Sequence, residues 1–160
     1  MINGFIVLNE VLSYQECADL IKYYDEHGPT YVWGKTFPMT ITPERELPYR
    51  MAQKILHAIQ PYIKETVEID WCELVKWPEG ANQDMHFDTA KQRTVFTSIT
   101  NLNVNYTGGV TRFLNDTAIT PKVGRTTYFD GMNAMHGVST LESGTRYTLA
   151  IWYKGDQYVL

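Results

Sequence analysis

The sequence predicts a mainly β domain, a sandwich or barrel of short strands with helices on one outer face. Three observations point there. From Val67 onward, runs rich in Val, Ile, Thr and aromatic residues alternate with turn-forming clusters. The first third instead carries a helical hydrophobic period twice. With 160 residues, 44% apolar and 20% charged, the chain can build one core but not two. Residues 1–160 are therefore expected to form a single domain.

The elements follow in order. Gly4 to Leu8 reads as a short strand. Ser13-Tyr14-Gln15-Glu16 is a capping-box pattern, with Leu12 and Cys17 placed as a hydrophobic staple. Cys17, Leu20, Ile21 and Tyr24 then line one helical face, and Gly28 is a natural stop. A second helix is expected from about Pro48 to about Gln60, with Met51, Ile55, Ala58 and Ile59 inward, and Pro61 ends it. Between the helices, Thr30 to Leu47 has no clear period and reads as a lid, a binding loop or an unresolved strand pair. Its Tyr31, Trp33 and Phe37 are placed to grip a substrate.

Strands are then expected over Trp71 to Trp77, Val95 to Val104, Val110 to Leu114, Gly124 to Phe129 and Arg146 to Tyr153. Pro78-Glu79-Gly80, Gly108-Gly109, Asn115-Asp116, Gly131 and Ser143-Gly144 supply the turns. In the last strand Arg146, Thr148, Ala150 and Trp152 share one face, while Tyr147, Leu149, Ile151 and Tyr153 share the other.

Composition narrows the function. A net charge of −4 argues against a general nucleic-acid binder, whose phosphate contacts need a basic surface. Cys17 and Cys72 match neither a disulfide framework nor a zinc knuckle and fit a reducing compartment. The first residues lack the basic and apolar regions of a signal peptide, and no stretch is long enough to span a bilayer. A cytoplasmic protein with no membrane partner is the expectation.

His86-Phe87-Asp88 carries the chemistry. Residues two apart in a strand point to one face, so His86 and Asp88 can grip one ion, and His136 from a distant strand would complete the set. Two imidazoles and one carboxylate on one face suit octahedral Fe(II) with open positions. Arg146, ten residues after His136, could hold an anionic co-substrate through a bidentate pair. Together these read as an iron-dependent oxygenase. Zinc is disfavoured: no H-E-x-x-H pattern occurs, and an anchoring arginine has no part in that chemistry. His27, at a helix C-terminus, and His57 are read as structural.

From about Phe5 to Tyr153 the chain resembles the 2-oxoglutarate- and Fe(II)-dependent dioxygenases, and within them the prolyl 4-hydroxylase branch. The similarity is carried by His86-Phe87-Asp88, Arg93-Thr94, Asn101-Leu102-Asn103 and Gly108-Gly109-Val110-Thr111-Arg112-Phe113. Pro121-Lys122-Val123-Gly124, His136 and Gly144-Thr145-Arg146-Tyr147 leading to Trp152-Tyr153 continue it. The resemblance implies a double-stranded β-helix, or jelly roll, with the N-terminal helices packed on the major sheet. It also implies Fe(II) bound by His86, Asp88 and His136, with 2-oxoglutarate and O2 as co-substrates and ascorbate as an accessory reductant.

By the same resemblance, Arg146 pairs with the far carboxylate of 2-oxoglutarate and Thr148 adds a hydroxyl. Arg93 and Trp152 meet the substrate, taken to be a prolyl residue of a peptide or protein. Two departures are visible. Collagen-type members usually carry lysine where Arg146 stands, whereas oxygen-sensing prolyl hydroxylases carry arginine. Trp77 replaces a tyrosine usual nine residues before His86, and its indole N–H can still donate to the co-substrate carboxylate. The alternatives are the same chemistry on a free amino acid or another side chain, and a non-catalytic jelly-roll binding module. The oligomeric state is left open.

Overall fold

The computed structural model describes residues 4–88 and 96–155. Strand β1 (Phe5–Leu8) leads into helix α1 (Tyr14–His27). Ser13 caps α1 reciprocally: its Oγ accepts from the Glu16 N–H at 3.1 Å, and the Ser13 N–H donates to the Glu16 carboxylate at 2.8 Å. Gly28 stops the helix at φ 77°, a left-handed position, donating its N–H to the Tyr24 carbonyl. Strand β2 (Phe37–Thr40) and helix α2 (Glu46–Ile59) follow. Helix α2 starts two residues before the expected Pro48. Proline fits the first turn because N–H groups there have no partner within the helix.

The strands then run β3 (Val67–Trp77), β4 (Gln83–His86), β5 (Phe96–Asn101), β6 (Tyr106–Gly108), β7 (Thr111–Phe113) and β8 (Ala118–Ile119). The chain finishes with β9 (Thr126–Phe129), β10 (His136–Val138), β11 (Leu141–Gly144) and β12 (Arg146–Gly155). The major sheet has the order β1-β9-β5-β12-β3-β2. Facing it are a four-stranded sheet, β4-β10-β7-β8, and the β11-β6 pair. This is the double-stranded β-helix implied by the resemblance, with both helices on the major sheet.

The alternation read along the last strand decides what each face of the major sheet does. Leu149, Ile151 and Tyr153 are fully buried with Leu20, Tyr24, Ile55, Ile59, Cys72 and Leu74 in the core beneath the helices. Arg146, Thr148 and Ala150 turn to the inner face, where they pair in register with Trp77, Val75 and Glu73 of β3. A second core of Val75, Trp77, Ala81, Val138 and Leu141 lies on that inner side.

The aperiodic segment 30–47 contains edge strand β2, which pairs antiparallel with β3. Pro38 is tolerated because β2 is the outermost strand. A two-residue turn, Gly34-Lys35, closes the Trp33–Thr36 bridge, with Gly34 at φ 58°. The strands the sequence leaves unread are β4, β6, β8, β10 and β11, too short to display a period.

Candidate metal centre

The centre is assembled by pairing two short strands. In the β10–β4 ladder, His136 stands directly opposite His86, and their rings lie 4.4 Å apart. Each histidine accommodates its Nδ1 in the same local way. His86 Nδ1–H donates to the Asp84 carbonyl at 2.7 Å, and His136 Nδ1–H donates to the Ala134 carbonyl at 2.8 Å. With Nδ1 protonated, the lone pair of each ring sits on Nε2. Both Nε2 atoms face Asp88 Oδ1, at 3.3 and 3.2 Å. The three ligand atoms fall within 4.8 Å of one another and could hold a metal ion.

Asp88 is held from behind. Its Oδ2 accepts from the Thr97 hydroxyl at 2.6 Å, and its backbone N–H donates to the Gly131 carbonyl at 2.7 Å. Burial alone would raise the Asp88 pKa, but the two imidazoles and Thr97 outweigh it and hold the carboxyl well below the usual range. His86 is raised above its ordinary 6.5, chiefly by the Asp88 carboxylate. His136 is buried with its ring edge-on to Phe129, 4.6 Å away.

Gly131 has no room for a side chain. A Cβ there would stand 2.6 Å from Asp88 Oδ2 and 2.5 Å from Thr97 Oγ1. Gly131→Ala is expected to swing Asp88 out of line and cost about 10–100-fold in metal affinity. Anaerobic Fe(II) titration checks this, and unchanged affinity would mean that Asp88 is not a ligand.

The raised His86 pKa gives a pH dependence with a definite sign. A proton on His86 competes with the ion, so affinity should fall about tenfold per pH unit once the pH drops below that raised value. Stability of the metal-free protein behaves differently. The His86 contribution is present below its unfolded pKa and is lost as the pH rises through the folded one. The Asp88 contribution is present above its unfolded pKa and is lost as the pH falls. Calorimetric metal titrations across pH 5–8 check the affinity slope.

A second polar cluster lies at the start of β12. Arg146 is 0% exposed, and burial works against its charge. Its Nη2 donates to Thr111 Oγ1 at 3.0 Å. Its guanidinium carbon sits 4.7 Å from the Trp77 ring centroid. Nε and Nη1 have no hydrogen-bond partner among the described residues, nor does the buried Tyr106 hydroxyl beside them. A buried cation without an anion is costly, and unpaired N–H and O–H donors around it fit a carboxylate. Thr148 accepts from Trp77 Nε1 at 3.3 Å, so its own proton remains to donate. The Trp77 indole N–H therefore serves Thr148, and it is the face of the ring that meets the cation. Tyr106 and Thr111 were missed by sequence reasoning, although Thr111 lies inside the matched Gly108–Phe113 run. Thr97 and Gly131 carried no signal of their own. Trp152 is half-buried on the inner face, paired with Thr97. Arg93 lies outside the described residues.

The model of the 2OG-Fe(II) oxygenase superfamily matches residues 72–154. The chain belongs to that superfamily. Fe(II) and 2-oxoglutarate are accordingly implied for this oxygenase, and the two polar clusters fit them: a three-ligand face for the metal and a buried, unpaired guanidinium for the dicarboxylate. No curated protein matches the chain at the sequence level.

Solved structures do resemble this oxygenase. A viral collagen prolyl hydroxylase from Paramecium Bursaria Chlorella virus-1 matches with TM-score 0.77 at 18% identity, covering 94% of this chain and 95% of its own. A Trichoplax adhaerens prolyl hydroxylase, in complex with a hypoxia inducible factor oxygen degradation domain peptide fragment, matches with TM-score 0.74 at 15% identity, covering 97% and 85%. The α-ketoglutarate-dependent epimerase SnoN from nogalamycin biosynthesis matches with TM-score 0.78 at 14% identity, covering 94% and 77%. At such identities the likeness is one of fold. Among the described residues, no helix is long and apolar enough to cross a membrane.

Proposed function

We propose that this 2-oxoglutarate-dependent oxygenase hydroxylates a prolyl residue of a peptide or protein. The observation that carries the reading is the pairing of two complementary sites in one barrel. One is the His86–Asp88–His136 face. The other is the buried Arg146 guanidinium with two unpaired nitrogens. In this reading His86 and His136 bind Fe(II) through Nε2, and Asp88 binds through Oδ1. Thr97 keeps the carboxylate aimed by occupying Oδ2. Arg146, with Tyr106, Thr111 and Thr148, takes the distal carboxylate of 2-oxoglutarate, and Trp77 backs the guanidinium with its ring. The bound metal and co-substrate supply an oxidant at the expense of decarboxylation, leaving one oxygen on the substrate.

The chain's own residues orient and exclude water. Phe113 and Phe129 flank His136, which shields the ligand rings on the core side. Support for a prolyl target comes from the fold-level likeness to prolyl hydroxylases over nearly the whole chain.

The test is turnover by iron-loaded protein with 2-oxoglutarate and proline-containing peptides. The expected result is succinate in step with a gain of about 16 Da on proline, one added oxygen atom. Coupled turnover only with a free amino acid would replace the substrate class. No succinate with any substrate, despite bound iron, would leave a binding module.

A further inference from the structure

The inner face of the major sheet carries a second buried ionisable residue that neither cluster uses. Glu73 is 4% exposed. It pairs in register with Ala150 of β12, whose next partner across the sheet is Ile99 of β5. The next row on that face, two residues along, is Trp71, Trp152 and Thr97, and Thr97 is the residue that holds Asp88. Glu73 therefore shares a wall with the metal centre, two strands across from β5, on the order of 10 Å.

Its surroundings are matched to a cation. Among the described residues the Glu73 carboxylate makes no ion pair, and its hydrogen-bond partner is the Tyr31 hydroxyl, which donates to Oε2. Burial and the adjacent carboxylate both push the Tyr31 phenol up, so it remains a neutral donor. Tyr31 is delivered from outside the sheet: its backbone N–H donates to the Pro38 carbonyl of β2 at 3.3 Å, so the side chain reaches across β2 to β3. At 36% exposure it also borders solvent. Ala150, opposite Glu73 in the register, carries only a methyl side chain. A carboxylate capped by a phenol, with Trp71 and Trp152 in the next row of the same face, offers the chemistry that recognises an ammonium or guanidinium group. Among the described residues no cation meets this buried carboxylate, and a charge buried without one is a net cost.

We infer that Glu73, covered by Tyr31 and with Trp71 and Trp152 in the next row, is a specificity site that binds a positively charged group of the substrate. On the proposed function this group is a lysine or arginine side chain near the hydroxylated residue of a peptide. The α-ammonium of a free amino acid is the other source of the same chemistry.

The test uses the iron- and 2-oxoglutarate-loaded protein under anaerobic conditions, with binding read by tryptophan fluorescence. The probes are proline-containing peptides that place lysine at successive positions on either side of the proline. Each is paired with its Nε-acetyl-lysine counterpart, and free L-lysine and L-arginine form a separate arm. At the best position the lysine peptide should bind at least about tenfold more tightly than its acetylated pair. Glu73→Gln, which keeps an acceptor for Tyr31, should reduce that ratio to within about twofold while iron content stays unchanged. Tyr31→Phe removes the competing donor and should preserve the ratio.

Tighter binding of free lysine or arginine than of any peptide, abolished by Glu73→Gln, would support the site and assign its cation to an amino acid. Equal binding of lysine and acetyl-lysine peptides, with no free amino acid bound, overturns the inference with no variant needed. A ratio that survives in Glu73→Gln overturns it as well. Because binding is read without oxygen, failure to hydroxylate proline would remove the prolyl reading and leave this result standing.

Discussion

His136→Ala is expected to strip the protein of iron and with it all succinate formation. Two candidate ligands with one residue between them, His86 and Asp88, would remain, and a labile divalent ion is not retained by two. The side chain is buried against Phe113 and Phe129, so the substitution also leaves a small cavity. Its effect on folding must be separated from its effect on binding. Circular dichroism and thermal unfolding of the metal-free variant serve that purpose, since the ladder that positions residue 136 against His86 and Phe113 is backbone-built. Metal analysis of protein reconstituted anaerobically should then give background iron for the variant and near one equivalent for the parent. Retained iron in a folded variant would remove His136 from the centre.

Arg146→Ala is expected to leave iron in place and to raise the 2-oxoglutarate requirement. Losing one partner of a buried, hydrogen-bonded charge pair costs about 2–5 kcal/mol. That corresponds to a factor of about 30 to several thousand in apparent affinity. Arg146 is walled by Trp77, Thr111 and Tyr106, so Arg146→Lys is the sharper comparison. Lysine keeps the charge but cannot pair with a carboxylate in the planar, two-pronged way of a guanidinium. A modest loss would mean that charge dominates. A loss close to that of alanine would mean that the fork and its stacking on Trp77 dominate. The anaerobic absorption band of the iron–2-oxoglutarate chelate reports the affinity directly, and an unchanged 2-oxoglutarate requirement in Arg146→Ala would take Arg146 out of the pocket.

Both predictions concern residues visible in the sequence, but their supports were not. A histidine two before an aspartate needs only strand geometry to be read as a ligand pair. Tyr106 and Thr111 lie 40 and 35 positions from Arg146, and nothing in their spacing announces a shared pocket. They meet because β6 pairs with β11 and β7 with β10, which folds those strands over the start of β12. Thr97 and Gly131 converge on Asp88 for the same reason. One lies on β5, and the other lies in the turn after β9, next to β5 in the sheet.

What the sequence determined alone is whatever a few neighbouring residues settle by local physics. The Ser13 cap and the Gly28 stop of α1 are of this kind, as are the two faces of the strand from Arg146 to Tyr153. What only the tertiary structure decided depends on which segments lie beside one another. That covers the five short strands, the edge role of β2, the partners of Arg146, and the turning of Glu73 toward the inner wall beneath Tyr31. The physical reason is range. A cap or a two-residue alternation is complete within one turn or strand, whereas a pocket takes its groups from strands whose register is set by the packing of the whole barrel.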